Sequence, residues 1–177
     1  MTVNEKKLRG QSARPKIEHY SFDGKDYNSV TCKTADGNYT SASPAKQHMY
    51  TESHPNPDAT LTYLSEVLEL PGTASDYHFT LQSAHESLWR HCRAQPSLYN
   101  TIETICRLDI EIVTLLGRDM YGESPFAVLA FNRLAGMYEV EGRLNEALLV
   151  YEQAESQGHF VRSNKGNWLR AVLKASS

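Results

Sequence analysis

His78, His85 and Cys92 recur at intervals of seven residues, with His91 beside the cysteine. Imidazole and thiolate are ligands for zinc and related metals, and a thiolate beside a base is a nucleophile. The spacing works against a site built from this stretch alone. Seven residues of helix rise about 10.5 Å, so one ion cannot touch two of the three side chains. Adjacent His91 and Cys92 diverge by about 100° on a helix. A complete metal site would need ligands from elsewhere, such as His48 or His54. The main reading is therefore of partly buried helix residues, and the alternative is a small metal-assisted enzyme using His85, His91 or Cys92.

The remaining candidates lead no further. Cys106 lies in an apolar helix and reads as a small core residue, and Cys32 lies in a stretch of β-formers with no base placed beside it. Asp109 and Glu111 fall on different helix faces, as do Glu139 and Glu141, while Glu86 and Arg90 form an ordinary i,i+4 pair. The chain has no glycine-rich phosphate loop, no Gly-x-Ser-x-Gly elbow and no His-Glu-x-x-His. No catalytic residue, no metal and no cofactor is expected. Three cysteines are too few for a disulfide framework and fit a reducing compartment. No apolar run approaches a membrane span, and no apolar stretch follows the N-terminal Met1 to Lys7. These features predict a cytoplasmic protein with no membrane association.

The elements that would position these residues divide unevenly along 177 residues. Residues 1–57 hold 8 Lys and Arg against 6 Asp and Glu, and are rich in Ser, Thr, Asn, Gly and Tyr. Residues 58–177 hold 10 against 15, and Leu, Ile and Val dominate from Leu61. The prediction is a polar, partly disordered extension over 1–57 and a helical domain over 58–177. Lys6, Lys7, Arg9, Arg14 and Lys16 make the first residues a basic arm without an aromatic. With a formal charge of -3 for the whole chain, nucleic acid is not the expected partner. Tyr20, Phe22, Tyr27, Val30 and Tyr39, with Asp23-Gly24 and Asp36-Gly37, predict a small β-hairpin within 18–40. Residues 41–58, with Pro44, Pro55 and Pro57, read as a linker.

In the second part, prolines stand at helix starts and glycines at helix ends. Pro71-Gly72 breaks the chain, Gln95-Pro96 and Ser124-Pro125 open helices, and Gly117, Gly142 and Gly158 close them. This predicts six helices, near 59–70, 74–93, 96–116, 124–140, 144–157 and 164–175. Leu61, Leu64 and Leu68 share one face of the first; Tyr77, Leu81, Ala84 and Leu88 share one face of the second. The third is apolar on two sides. Short connections make successive helices antiparallel. The fold class is all-α, a stack of antiparallel helical hairpins.

Residues Ala127 to Ala154 carry a more specific pattern. Phe131 is followed by the Leu134-Ala135 pair and by Tyr138, Gly142 stands at a turn, and Ala147, Tyr151 and Ala154 follow. Over roughly 128–161 this resembles a tetratricopeptide repeat, a helix–turn–helix unit of about 34 residues. His159 stands where the repeat ends in proline. Small residues at 135, 147 and 154 let two helices approach closely. Residues 74–116 form a hairpin of similar size without the small residues. Helix 164–175, with Trp168, Leu169, Val172 and Leu173 and no acid, is expected to cap the stack.

The resemblance implies a scaffold that binds a protein partner, a peptide or helix held on the face of each unit's first helix. By position that face includes Leu129, Asn132, Arg133, Gly136, Glu139 and Val140. A clamp for a terminal carboxylate is not implied, because Leu129 and Gly136 break its pattern. Tyr121, Phe126 and Phe160 near hairpin ends read as cap contacts. An interaction module or adaptor is the expected function, with self-association through uncovered apolar faces as a corollary.

Overall fold

The computed structural model describes residues 56–70, 74–116, 128–159 and 164–175 in detail, together with Ala45, His48 and the backbone of strands β1 (Lys16–Phe22), β2 (Lys25–Lys33) and β3 (Tyr39–Thr40). The six helices are α1 (Pro57–Glu69), α2 (Ala74–Trp89), α3 (Leu98–Leu116), α4 (Leu129–Val140), α5 (Leu144–Ser156) and α6 (Lys165–Ala175). The helical part is all-α, with no strand among its described residues. The chain divides into two compact units, Met1–Leu88 and Trp89–Ser177. The division falls in the last turn of α2, later in the chain than the change in composition near residue 57.

In the first unit, β1, β2 and β3 form an antiparallel sheet in that order. The β1–β2 register runs from Lys16 opposite Thr31 to Phe22 opposite Lys25, with Asp23-Gly24 between the paired ends. This is the loop length that an Asp-Gly dipeptide favours. Lys16 and Ile17 thus belong to the sheet, which begins before the expected 18–40 and takes Lys16 out of the basic arm.

Helix α1 starts two residues before the expected 59. Asn56 is its N-cap, its Oδ1 accepting from the Ala59 N–H at 2.8 Å, and Pro57 takes the first helical position. Pro57 therefore opens the helix and does not belong to a linker. The buried stripe is Thr60, Tyr63, Leu64 and Val67. Leu61 and Leu68, expected on that face, are half-buried, because the stripe follows the i, i+3, i+4, i+7 series from residue 60. Ala45 packs with Tyr63 and Val67. His48 stacks on Tyr63, with ring centroids 5.2 Å apart, and its Nε2 lies 3.1 Å from Glu66.

Helix α2 ends at Trp89, not 93. Beyond it the chain turns tightly, with the Cys92 N–H donating to the Trp89 carbonyl at 3.3 Å and Ala94 to His91 at 3.0 Å. On α2, Leu81, Ala84 and Leu88 are buried as expected, and Asp76, His78, Thr80 and His85 are buried with them.

In the second unit, α3, α4, α5 and α6 pack in sequence, each on the one before. Helix α3 is buried on two sides, by Ile102, Ile105 and Ile112 and by Leu108, Ile110 and Val113. Helix α4 begins at Leu129, not 124, since Val128 is extended (φ −81°, ψ 105°). The expected Ser124-Pro125 cap, Gly117, Tyr121, Phe126 and Phe160 lie outside the described residues. Helices α4 and α5 end alike. At Gly142 (φ 74°) the Arg143 N–H donates to the Tyr138 carbonyl at 2.8 Å and the Gly142 N–H to Glu139 at 3.1 Å. At Gly158 (φ 75°) the His159 N–H donates to Ala154 at 2.9 Å and the Gly158 N–H to Glu155 at 3.0 Å. Both are Schellman motifs, which leave the turn residue left-handed and favour glycine there.

Candidate partner-binding face

Helix α4 presents two unlike faces. Ala130, Phe131, Leu134, Ala135, Met137 and Tyr138 are buried. Leu129, Asn132 and Gly136 are half-buried and Val140 is 81% exposed. Residues 132 and 136 each stand two positions from Leu134, about 200° around the axis, so this second stripe looks away from the core. The opposing helix makes the first face possible. Ala135, Ala147 and Ala154 are fully buried and small, and Tyr151 is buried among them on α5. The Phe131 ring meets His159 at 5.4 Å between centroids, so the imidazole closes this end of the hairpin.

Two tyrosine–glutamate pairs tie the helices together. The Tyr138 hydroxyl donates to Glu103 on α3 at 2.7 Å, and the Tyr151 hydroxyl donates to Glu139 on α4 at 2.8 Å. Each glutamate also meets a cation. Arg107 donates to Glu103 at 2.9 and 3.1 Å, and Lys165 donates to Glu139 at 2.5 Å. Arg143 stacks over the Tyr138 ring at 4.0 Å and pairs with Glu146 and, at 2.9 Å, with Glu141. Burial works to raise the Glu103 carboxyl, but the hydrogen bonds from Tyr138 and Arg107 and the nearby guanidinium charges hold it below the usual carboxylate range. Burial first, then the bond to Glu103, pushes the Tyr138 hydroxyl up to about 12.

The six residues assigned to the partner face therefore separate. Glu139 is engaged by Tyr151 and Lys165, and Arg133 lies with its guanidinium 4.4 Å over the Trp89 ring. These two hold the fold together. Leu129 and Asn132 are half-buried, while Val140 is exposed. A Cβ placed on Gly136 meets no atom within 4 Å, so the glycine forms a notch in the helix surface.

Helix α6 carries a further exposed apolar residue, one the sequence pattern had assigned to the cap. Leu169 is fully buried and Gly166 is packed close to Tyr151, but Trp168 is 52% exposed. Its ring lies 5.7 Å from the Lys165 Nζ, and that same amine holds Glu139, the neighbour of Val140. Trp168 thus stands one turn along α6 from the point where α6 meets the end of α4. With Leu169 inward, the 100° step to Trp168 carries it outward, a signal the helical wheel contains. Arg170 holds the inner side, donating to Glu152 and Glu155 at 3.0 Å each.

A second surface was not foreseen. Ile110, Leu134 and Val150 floor a groove of about 290 Å³ between α3 and α5. Arg107, Glu111, Thr114 and Gln153 line its rim. Thr114 and Gln157 exchange hydrogen bonds of 2.9 and 3.3 Å near one end.

The histidine–cysteine series is not gathered into a site. His78 and His85 are fully buried, and Cys92 lies beyond the end of α2. Among the described residues, no three His, Cys, Asp or Glu side chains come together as a metal-holding group. His54 and Cys32 lie outside the described side chains. Burial raises the Cys92 thiol despite the Arg133 charge, and raises Cys106 further, which disfavours the thiolate in both. No helix among the described residues is long and apolar enough to cross a membrane. No protein-family model matches the chain, and neither a curated protein nor a solved structure matches it.

Proposed function

We propose that the chain is a cytoplasmic interaction module, similar to a tetratricopeptide repeat, that holds a partner peptide or helix on the outer face of α4 and α6. The observation that supports it is the pairing of an open notch with exposed apolar anchors. Gly136 leaves space on the α4 surface, and Val140 and Trp168 stay 81% and 52% exposed on a unit whose other large apolar side chains are mostly buried. Exposed tryptophan is costly to leave in water and is enriched where partners bind. Buried Leu169 holds α6 in place, and ion pairs from Lys165 to Glu139 and from Arg170 to Glu152 and Glu155 span its contacts with α4 and α5. The partner is held by apolar contact and shape, since the nearest charges are already paired internally.

Affinity capture with the intact chain tests this reading. Val140→Asp and Trp168→Ala alter exposed positions and are expected to leave the helical content unchanged, as circular dichroism would check. Both are expected to lose the proteins that the unaltered chain captures. Equal recovery by all three chains would contradict the proposal.

A further inference from the structure

Helices α5 and α6 carry opposite charges. Helix α5 holds Glu146, Glu152 and Glu155 and no Lys or Arg, while α6 holds Lys165, Arg170 and Lys174 and no acid. The α6 cations sit on the carboxylates beneath them. Lys165 donates to Glu139 at 2.5 Å, and Arg170 donates to Glu152 and Glu155 at 3.0 Å each. Among the described residues, these three carboxylates form ion pairs with no other element. Gly166 and Leu169 lie between the cations, and the four residues make one stripe along the inner face of α6. Leu169 is the one large side chain of α6 that is fully buried. A Cβ on Gly166 would stand 3.1 Å from a Glu155 carboxylate oxygen and 3.6 Å from the Tyr151 Cβ, so only a small residue fits there.

One apolar anchor, a close approach at a small residue and flanking charges are the means by which a groove holds a separate amphipathic helix. An 11-residue helix is marginal in water by itself, so α6 folds as it docks. Its tether to α5 gives it a high effective concentration at this surface, and a free segment of the same pattern competes with it. We propose that the surface of α4 and α5 beneath α6 is a recognition site for basic amphipathic helices, and that α6 is its autoinhibitory occupant. The site selects a lysine followed by a small residue, with leucine and arginine three and four positions after the small residue. It lies under α6 and uses neither Gly136 nor Val140, so it does not rest on the outer-face reading.

Fluorescence anisotropy of a labelled synthetic peptide of residues 164–177, titrated with the full chain, tests this. Leu169→Ala in the chain removes the anchor of the tethered helix and is expected to raise affinity for the added peptide at least tenfold over the unaltered chain. The peptide is also expected to raise the melting temperature of that variant. Arg170→Glu, which sets a third carboxylate against Glu152 and Glu155, opens the site by charge alone and carries the test if Leu169→Ala loses its helical circular dichroism. Adding Glu152→Lys and Glu155→Lys to the opened chain is expected to abolish uptake. An alanine-based helix that keeps only Lys165, Gly166, Leu169 and Arg170 is expected to compete, and a scrambled peptide of the same composition is not. Uptake by folded Leu169→Ala or Arg170→Glu no stronger than by the unaltered chain, or equal binding of the scrambled peptide, would overturn the proposal.

Discussion

Tyr138 is where burial, hydrogen bonding and charge meet in one side chain. Its ring is buried, its hydroxyl serves Glu103, and Arg143 lies over its face. Tyr138→Phe removes the hydroxyl but keeps the packing, and is expected to cost about 1–2 kcal/mol in urea unfolding. The shifted hydroxyl also sets an alkaline limit. In the unfolded chain a tyrosine loses its proton near its ordinary value of 10.0, while Tyr138 keeps it to about 12. The unfolded state therefore binds fewer protons in that window, and stability falls as pH rises through it. The fall is expected to be shallower in Tyr138→Phe. Glu103 acts in the opposite direction. Its lowered carboxyl stabilises the fold above the ordinary carboxylate range and ceases to do so as acid protonates it. Two glycines give a further contrast at this scale. Gly142 has a φ of 74°, so Gly142→Ala is expected to destabilise by about 1 kcal/mol. Gly136 is helical with open space at its Cβ position, so Gly136→Ala is expected to stabilise by about 0.5–1 kcal/mol. Thermal melts of the two variants should shift in opposite directions.

At the scale of elements, α6 depends on one apolar side chain and a set of ion pairs. Leu169 is fully buried, while Arg170 and its carboxylates are each about 40% exposed. Exposed pairs contribute little and buried leucine contributes much. Leu169→Ala is expected to cost about 2–5 kcal/mol. Hydrogen exchange should show α6 losing protection before α3. Arg170→Ala should change the melting temperature far less. The element pattern was largely legible in the sequence because the signals were local. Gly142 and Gly158 mark the ends of α4 and α5, and the apolar period places α2 through α5 within a few residues. The misplaced boundaries share a physical cause. Pro57 was read as a linker residue because the signal that makes it a helix start is the Asn56 side chain turned back onto Ala59. Helix α2 stops at Trp89, although Cys92 continues its apolar spacing, because the backbone there passes into tight turns that the apolar spacing does not signal.

At the scale of the molecule, the candidate partner face was only partly legible in the sequence. Position within the repeat-like pattern pointed to Gly136 and Val140; a Cβ on Gly136 meets open space and Val140 is 81% exposed. It could not reveal that Arg133 stacks on Trp89 or that Glu139 is shared by Tyr151 and Lys165, because those contacts join residues far apart in sequence. It also passed over Trp168, whose exposure follows from how α6 rotates to bury Leu169. The α3–α5 groove depends on three helices meeting and has no linear signature.

Central to the account is the claim that the notch at Gly136 is occupied when a partner binds. The most direct measurement is the affinity of a captured partner across Gly136→Ala, Gly136→Leu and Gly136→Trp, with the melting temperature of each variant recorded beside it. Affinity is predicted to fall as the side chain grows, about tenfold or more from Ala to Trp, while the melting temperature does not fall with it. Affinity that stays level across the series in folded variants would contradict the assignment of that face.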